Sequence, residues 1–417
     1  MAMSCGEDRT YQYDEITKGN RQIEELMGEY YLWTEQMNTD IGWKDYFGDG
    51  SKFFQKLLPN TDKWSYCTID TIPQDKFERG YFNHLDTYGM DFDLMNDPTG
   101  TTTRQFARVL FVAFGSQADK AGLKRGDFIS FVDGARVSSS TAKKLVSGDS
   151  LSLTVSHIDY NLEEELLFWA DTTELKMGKS SYVENYPFYV NEVFDFLSRR
   201  VAYLMVTRLI EGPYETDPTS TKYLDDMDAI FAEYKAAGVN EFIVDLRYCN
   251  RGEIEMAQRL ASYIAAYNHA DEVFAKTIWR DDLSQNNMTY PYDLSLTHGN
   301  ALDLDRVVFI TSDYTRGVAE WLIRSLVCTM GADNIIIVGK QTAGQNVWTK
   351  GFPTEYSMTL YPAVAYVTDA EGEWDYSSIV PTDYNDESTN VNMYEYGSLG
   401  EILLLKSLYD LFNLGEE

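Results

Sequence analysis

The run Val307-Val308-Phe309-Ile310-Thr311 is apolar almost throughout, and it breaks abruptly into Ser312-Asp313-Tyr314-Thr315-Arg316-Gly317 before an amphipathic stretch opens at Val318. A short run that is apolar on both faces predicts a strand covered on both sides, and the polar, glycine-containing turn hands it to a helix of 3.6-residue period. The pattern recurs. Strands are expected at Val201 to Thr207, Glu241 to Leu246, Arg306 to Thr311 and Ile335 to Val338, with helices at Tyr223 to Ala237, Ala257 to Tyr267 and Val318 to Thr329. Strand and helix in alternation are the signature of an α/β layer.

Upstream the character differs. Ile23, Leu26, Met27, Tyr30, Tyr31, Trp33 and Met37 recur at helical spacing, and Phe53 to Leu58 do so again before Pro59-Asn60. From Asn83 onward, β-type runs at Phe106 to Phe114, Phe128 to Val132 and Leu151 to Val155 lie between turn signals, with one short helical stretch at Ser140 to Val146. A chain of 417 residues exceeds one typical domain. The expectation is a mixed α/β multidomain protein: a tether at 1–13, a helical region at 14–82, a β-rich domain at 83–158 and an α/β domain at 159–417.

Charge excludes some partners. With 66 acidic against 35 basic residues the net charge is −31, so the chain repels nucleic acid and anionic membrane surfaces. Cys5, Cys67, Cys249 and Cys328 are too scattered for a disulfide framework or a zinc knuckle, and His84, His157, His269 and His298 lack metal-ligand spacing. No cofactor or metal is expected. No apolar run is long enough to span a bilayer. Met1-Ala2-Met3-Ser4-Cys5-Gly6 is similar to the end of a bacterial lipoprotein signal. That reading puts a lipid on Cys5, the one expected membrane contact, and places the protein in the cell envelope, in the periplasm or as an outer-membrane lipoprotein.

Gly115-Ser116-Gln117-Ala118-Asp119-Lys120-Ala121-Gly122-Leu123-Lys124-Arg125-Gly126-Asp127-Phe128-Ile129 closely resembles the PDZ signature G-S-P-A-x-x-A-G-L-K-x-G-D-x-I. Tyr30-Tyr31-Leu32-Trp33 and Asp62-Lys63-Trp64-Ser65-Tyr66 resemble strings that precede this module in envelope members of the C-terminal processing, or tail-specific, serine peptidases. Segment 307–321 resembles that family's nucleophile segment, T-S-x-x-T-A-S-A-S-E-L. Ile379-Val380-Pro381-Thr382-Asp383 and Trp374-Asp375-Tyr376-Ser377 resemble structural strings near its C-terminus. The resemblance implies a PDZ-like domain and a peptidase domain of ClpP/crotonase-like α/β fold.

Cleaving an amide with serine needs an activated hydroxyl, a base and amide donors for the oxyanion. The resemblance implies a serine three residues before Glu320, where this chain has Gly317. The family's lysine, in a segment like V-G-E-x-T-x-G-K-N-V, falls on Gln345 of Val338-Gly339-Lys340-Gln341-Thr342-Ala343-Gly344-Gln345-Asn346-Val347. An amide side chain is no base near neutral pH. The oxyanion glycines of relatives, N-G-G-G or N-P-G-G, fall on Asn250, Arg251 and Gly252, of which only Gly252 remains.

Glu320 is expected to serve the helix terminus. Strand neighbours end about 5 Å apart, so Ser312 and Lys340 form a conceivable substitute pair; Thr315 and Cys249 are weaker substitutes. The loop implied to receive a peptide carboxylate is Tyr88-Gly89-Met90-Asp91-Phe92, where Asp91 is expected to repel it. The expected function is a non-catalytic relative that binds peptides or protein C-termini. The alternatives are an active serine endopeptidase with a rearranged Ser312/Lys340 site, and a scaffold with neither activity.

Overall fold

The computed structural model describes residues 10–69, 86–214, 216–372 and 378–414. The chain divides into two compact units, one made of residues 1–76, 277–288 and 346–367, the other of residues 77–276, 289–345 and 368–417. Cys5 and the string 374–377 lie outside the described residues.

In the first unit, helices Thr10–Tyr30 and Gly50–Leu57 pack on the three-stranded sheet formed by Tyr66–Ile69, Met358–Tyr361 and Phe352–Pro353. Ile23, Met27, Tyr31, Phe53, Phe54 and Leu57 meet Met358 and Leu360 in one core. Two expectations need correction. Residues 10–13 belong to the first helix rather than to an irregular tether, and Tyr13 anchors that turn edge-on to the Phe47 ring. The apolar stripe to Met37 is not one helix. It ends at Tyr30, where the Arg280 guanidinium takes the carbonyls of Gly28, Glu29 and Tyr31 at 3.0, 2.6 and 2.8 Å, and a 3₁₀ turn follows at Thr34–Gln36. Those carbonyls have no intrahelical donor, so a cation there supplies hydrogen bonds and complements the helix dipole.

The second unit holds two large sheets. The antiparallel one orders Met90–Asn96, Gln105–Val112, Phe128–Val132, Leu151–Asn161 and Leu166–Met177 side by side. Its core gathers Tyr88, Val109, Ile129, Leu145, Leu153 and Met177. Ser116 caps the one-turn helix Gln117–Lys120 by accepting from the Asp119 amide at 3.1 Å, and Gly122 closes it at φ +86°. The helical stretch expected around Ser140 is a 3₁₀ turn, Ala142–Leu145.

The other sheet orders Phe188–Phe196, Arg199–Val206, Glu241–Asp245, Val307–Thr311, Ile335–Gly339 and Asp383–Tyr384, parallel after the first antiparallel pair. Helices Lys222–Ala237, Ile254–His269 and Val318–Met330 lie between its parallel strands in sequence. This is the α/β layer that the alternation predicted. Every residue from Val307 to Thr311 is buried, as a strand covered on both faces requires. In such sheets, sites form beyond the carboxyl ends of the strands. The turns after Asp245, Thr311 and Gly339 are therefore where chemistry is to be sought.

Candidate functional site

The turn after Thr311 is built by short-range bonds. The Ser312 amide donates to Thr315 Oγ1 at 2.9 Å, and that hydroxyl donates to the Leu246 carbonyl at 2.8 Å, tying the turn to the neighbouring strand end. The Arg316 amide donates to the Cys249 carbonyl at 3.1 Å, and its guanidinium spans the Asn250 carbonyl through Nε and Nη2 at 3.2 and 3.0 Å. Thr315 and Cys249, the weaker substitute nucleophiles, are both fully buried.

Gly317 follows as N-cap of helix Val318–Met330, at φ +57° and ψ −113°. That backbone region is sparsely populated by residues with a Cβ, and it marks the sharp strand-to-helix turn that holds a nucleophile outward in many hydrolases. Here no hydroxyl occupies it. A Cβ placed on Gly317 would touch Gln345 at 3.4 Å. The positions implied for nucleophile and base thus face each other, carrying hydrogen and an amide.

Glu320 locks them together. Its buried carboxylate accepts from the amides of Gly317, Gly344 and Gln345 at 2.9, 2.7 and 2.8 Å and from the Thr342 hydroxyl. Burial pushes its pKa up and the four donors pull it back, leaving it above the ordinary glutamate value. Trp321 Nε1 donates to the Gln345 carbonyl at 3.0 Å, fixing the same segment from the helix side. Ile379 closes the far side through an exchange of bonds with Thr342. The expectation of a helix-terminal role for Glu320 understates it: the side chain stitches loop 342–345 to the site helix.

The oxyanion region runs alongside Leu209. The Leu209 amide donates to the Arg251 carbonyl at 3.1 Å, and the Glu253 amide to the Leu209 carbonyl at 2.7 Å. A Cβ on Gly252 would fall 2.4 Å from the Leu209 oxygen, so this glycine is demanded by close backbone approach. Asn250 is buried, while Arg251 and Gly252 are half-buried. Beyond them, Glu253 has a pKa raised to about 7, because burial disfavours its charge and Glu211 and Glu255 repel it; the Tyr214 hydroxyl bond opposes this.

Ser312 and Lys340 end neighbouring strands, with Thr311 opposite Gly339, yet no hydrogen bond joins them. The Ser312 hydroxyl donates to the Arg247 carbonyl at 2.6 Å. Lys340 Nζ pairs with Asp313 at 2.9 Å and Asp386 at 3.6 Å. Partial burial lowers its pKa, the two carboxylates raise it more, and the net shift is upward. A lysine base must be neutral, so this shift has the wrong sign.

Beneath lies a charged cluster that the motif reading missed. Arg247, in the turn just beyond the strand, binds Asp245 at the strand's end, Glu387 at 2.6 Å and Glu401 at 2.9 Å; Arg125 also reaches Glu387 at 2.6 Å. The Tyr396 ring lies 4.1 Å from the Arg125 guanidinium carbon and 4.7 Å from that of Arg247. Asp245 and Arg247 were visible as a strand end. Their partners lie some 140 and 154 residues away, and no local string announces them.

In the loop implied to capture a carboxylate, Tyr88, Met90 and Asp91 are buried and Phe92 is half-buried. Gly89 has φ +79°, and a Cβ there would collide with Ser116 at 2.2 Å. Asp91 does not face an incoming C-terminus as expected. Its carboxylate turns inward and accepts from the Tyr248 hydroxyl at 3.0 Å, because a buried charge needs a donor.

A two-sheet α/β and β-rich architecture with a hydrolase-type turn after the central strand defines a serine-peptidase-like protein. The peptidase S41 N-terminal domain model matches residues 18–66. The crystal structure of a candidate S41 protease from Bacteroides fragilis is 26% identical, with a TM-score of 0.85, covering 95% of this chain and 98% of that one. The photosystem II D1 C-terminal processing protease is 14% identical over 90% of this chain and 95% of its own, at a TM-score of 0.47. No curated protein sequence matches. The chain is similar to the S41, or C-terminal processing, peptidases, in its N-terminal segment by sequence and along nearly its whole length by fold.

Proposed function

We propose that this protein is a non-catalytic relative of these peptidases that binds peptides or protein C-termini in the cell envelope. The observation that carries the reading is the juxtaposition of Gly317 with Gln345, where a Cβ would meet the amide at 3.4 Å. A hydroxyl and a neutral amine are both missing from that contact, and Glu320 holds it closed from behind. The alternative of a rearranged Ser312/Lys340 pair is opposed by the donated Ser312 hydroxyl and the ion-paired lysine.

Binding is supported by the antiparallel sheet, read as a PDZ-like domain. Among the described residues, Met90–Asn96 ends that sheet and pairs with a strand on one side only. An extended peptide adds to such an edge through its own backbone. Envelope location rests on the lipoprotein-like start at Cys5, outside the described residues; among the described residues no helix is long and apolar enough to cross a membrane.

Peptides ending in a free carboxylate, and the same peptides amidated, are to be titrated into the protein, with casein incubated in parallel and followed by mass spectrometry. Binding without cleavage is expected. Cleavage abolished by Ser312→Ala or Lys340→Ala would replace this reading with the rearranged peptidase.

A further inference from the structure

The net charge of −31 makes any cationic, acid-free groove on this protein conspicuous. One lies on the antiparallel sheet, away from Gly317, with Asn96 at the end of the edge strand Met90–Asn96 among its lining residues. It has a volume of about 690 Å³, within the range of about 300–1,000 Å³ usual for ligand sites. Phe106, Phe131, Val137 and Trp169 supply its apolar surface, and Arg104 and Arg136 its charge; no aspartate or glutamate lines it.

The floor is rigid. Trp169 stacks on Phe106 with centroids 4.3 Å apart and meets Phe128 edge-on at 5.6 Å. Its indole Nε1 donates to Asp97 at 3.1 Å, and the oxygens of Asp97 are further taken by Thr99, Thr101 and Thr102. Those bonds hold the Asp97 pKa down at about 2, against its burial, so the carboxylate stays ionised while it fixes the tryptophan. By contrast, Arg104 and Arg136 are exposed, and their guanidinium groups make no ion pair or hydrogen bond among the described residues.

We propose that this groove is a binding site for a short acidic peptide, whose carboxylates meet Arg104 and Arg136 while an apolar side chain rests against Phe106, Val137 and Trp169. Guanidinium forks recognise carboxylates bidentately. A peptide is favoured over an acidic saccharide because the lining adds Phe106, Phe131 and Val137, apolar surface that a hydrophobic side chain covers and a hydroxyl-rich sugar does not. The site is separate from the cleft at Gly317, and it touches the proposed strand-addition edge at Asn96.

The test uses the full chain and the probe acetyl-Phe-Glu-Glu, titrated calorimetrically into wild type and into the double variant Arg104→Glu/Arg136→Glu, with trigalacturonate as the competing class. Both positions are exposed, so charge reversal is expected to leave the melting temperature unchanged. The expected result is peptide binding by wild type, at least tenfold weaker in the variant, with trigalacturonate weaker than the peptide. Absence of peptide binding, affinity unchanged by the double substitution, or tighter binding of trigalacturonate would each overturn the proposal.

Discussion

At the scale of single residues, the chain keeps a backbone built for a side chain it lacks. Gly317 sits at φ +57° with room for a Cβ against Gln345. Gly317→Ser is therefore expected to fold with a stability loss of about 1–3 kcal/mol, the usual cost of a non-glycine residue in that region, read by chemical denaturation. Glu253 supplies a pH signature. Its pKa in the fold, about 7, lies above its ordinary 4.5, so the folded state holds the proton more tightly than the unfolded chain. Its contribution to stability is greatest below the unfolded value and is lost as pH rises toward the folded one. Glu253→Gln should remove that decline, so the melting temperature of the variant relative to wild type should climb between about pH 5 and pH 8. The positions of Gly317, Gln345 and Gly252 were legible because each sits in a short string whose register is local. The four-donor seat of Glu320 and the inward turn of Asp91 were not, since both depend on partners brought in by tertiary packing.

At the scale of elements, the parallel strands were the most legible part, because burial on both faces writes a continuous apolar run, as in Val307–Thr311 and Ile335–Gly339. The long hairpin strand Leu166–Met177 left no such trace; most of its side chains are exposed, so no run buried on both faces marks it. The end of helix Thr10–Tyr30 was equally hidden, since its cap comes from Arg280, some 250 residues away. Arg280→Ala should expose those carbonyls and lower stability by about 1 kcal/mol, measured as a shift in denaturation midpoint. Arg247→Met is a harsher change. It strands Asp245 and Glu401, both fully buried, and should cost about 3–5 kcal/mol. Glu401 also caps helix Ile402–Leu411, and its pKa is held below the ordinary value because Arg247 outweighs its burial. Amide exchange in that helix should therefore accelerate in the same variant.

At the scale of the whole molecule, family and chemistry part company. Strand order, the β-rich sheet and the matched N-terminal domain are those of an S41 peptidase, and they rest on many apolar positions that tolerate exchange one at a time. Catalysis rests on a few side chains in one contact, and a fold persists without them. The most direct measurement is labelling of the wild-type protein with a fluorophosphonate probe, which reacts covalently with an activated serine. The proposed function predicts no labelling, with an active C-terminal processing peptidase labelled in parallel. Labelling of wild type that disappears in Ser312→Ala would contradict it and return a nucleophile to this turn.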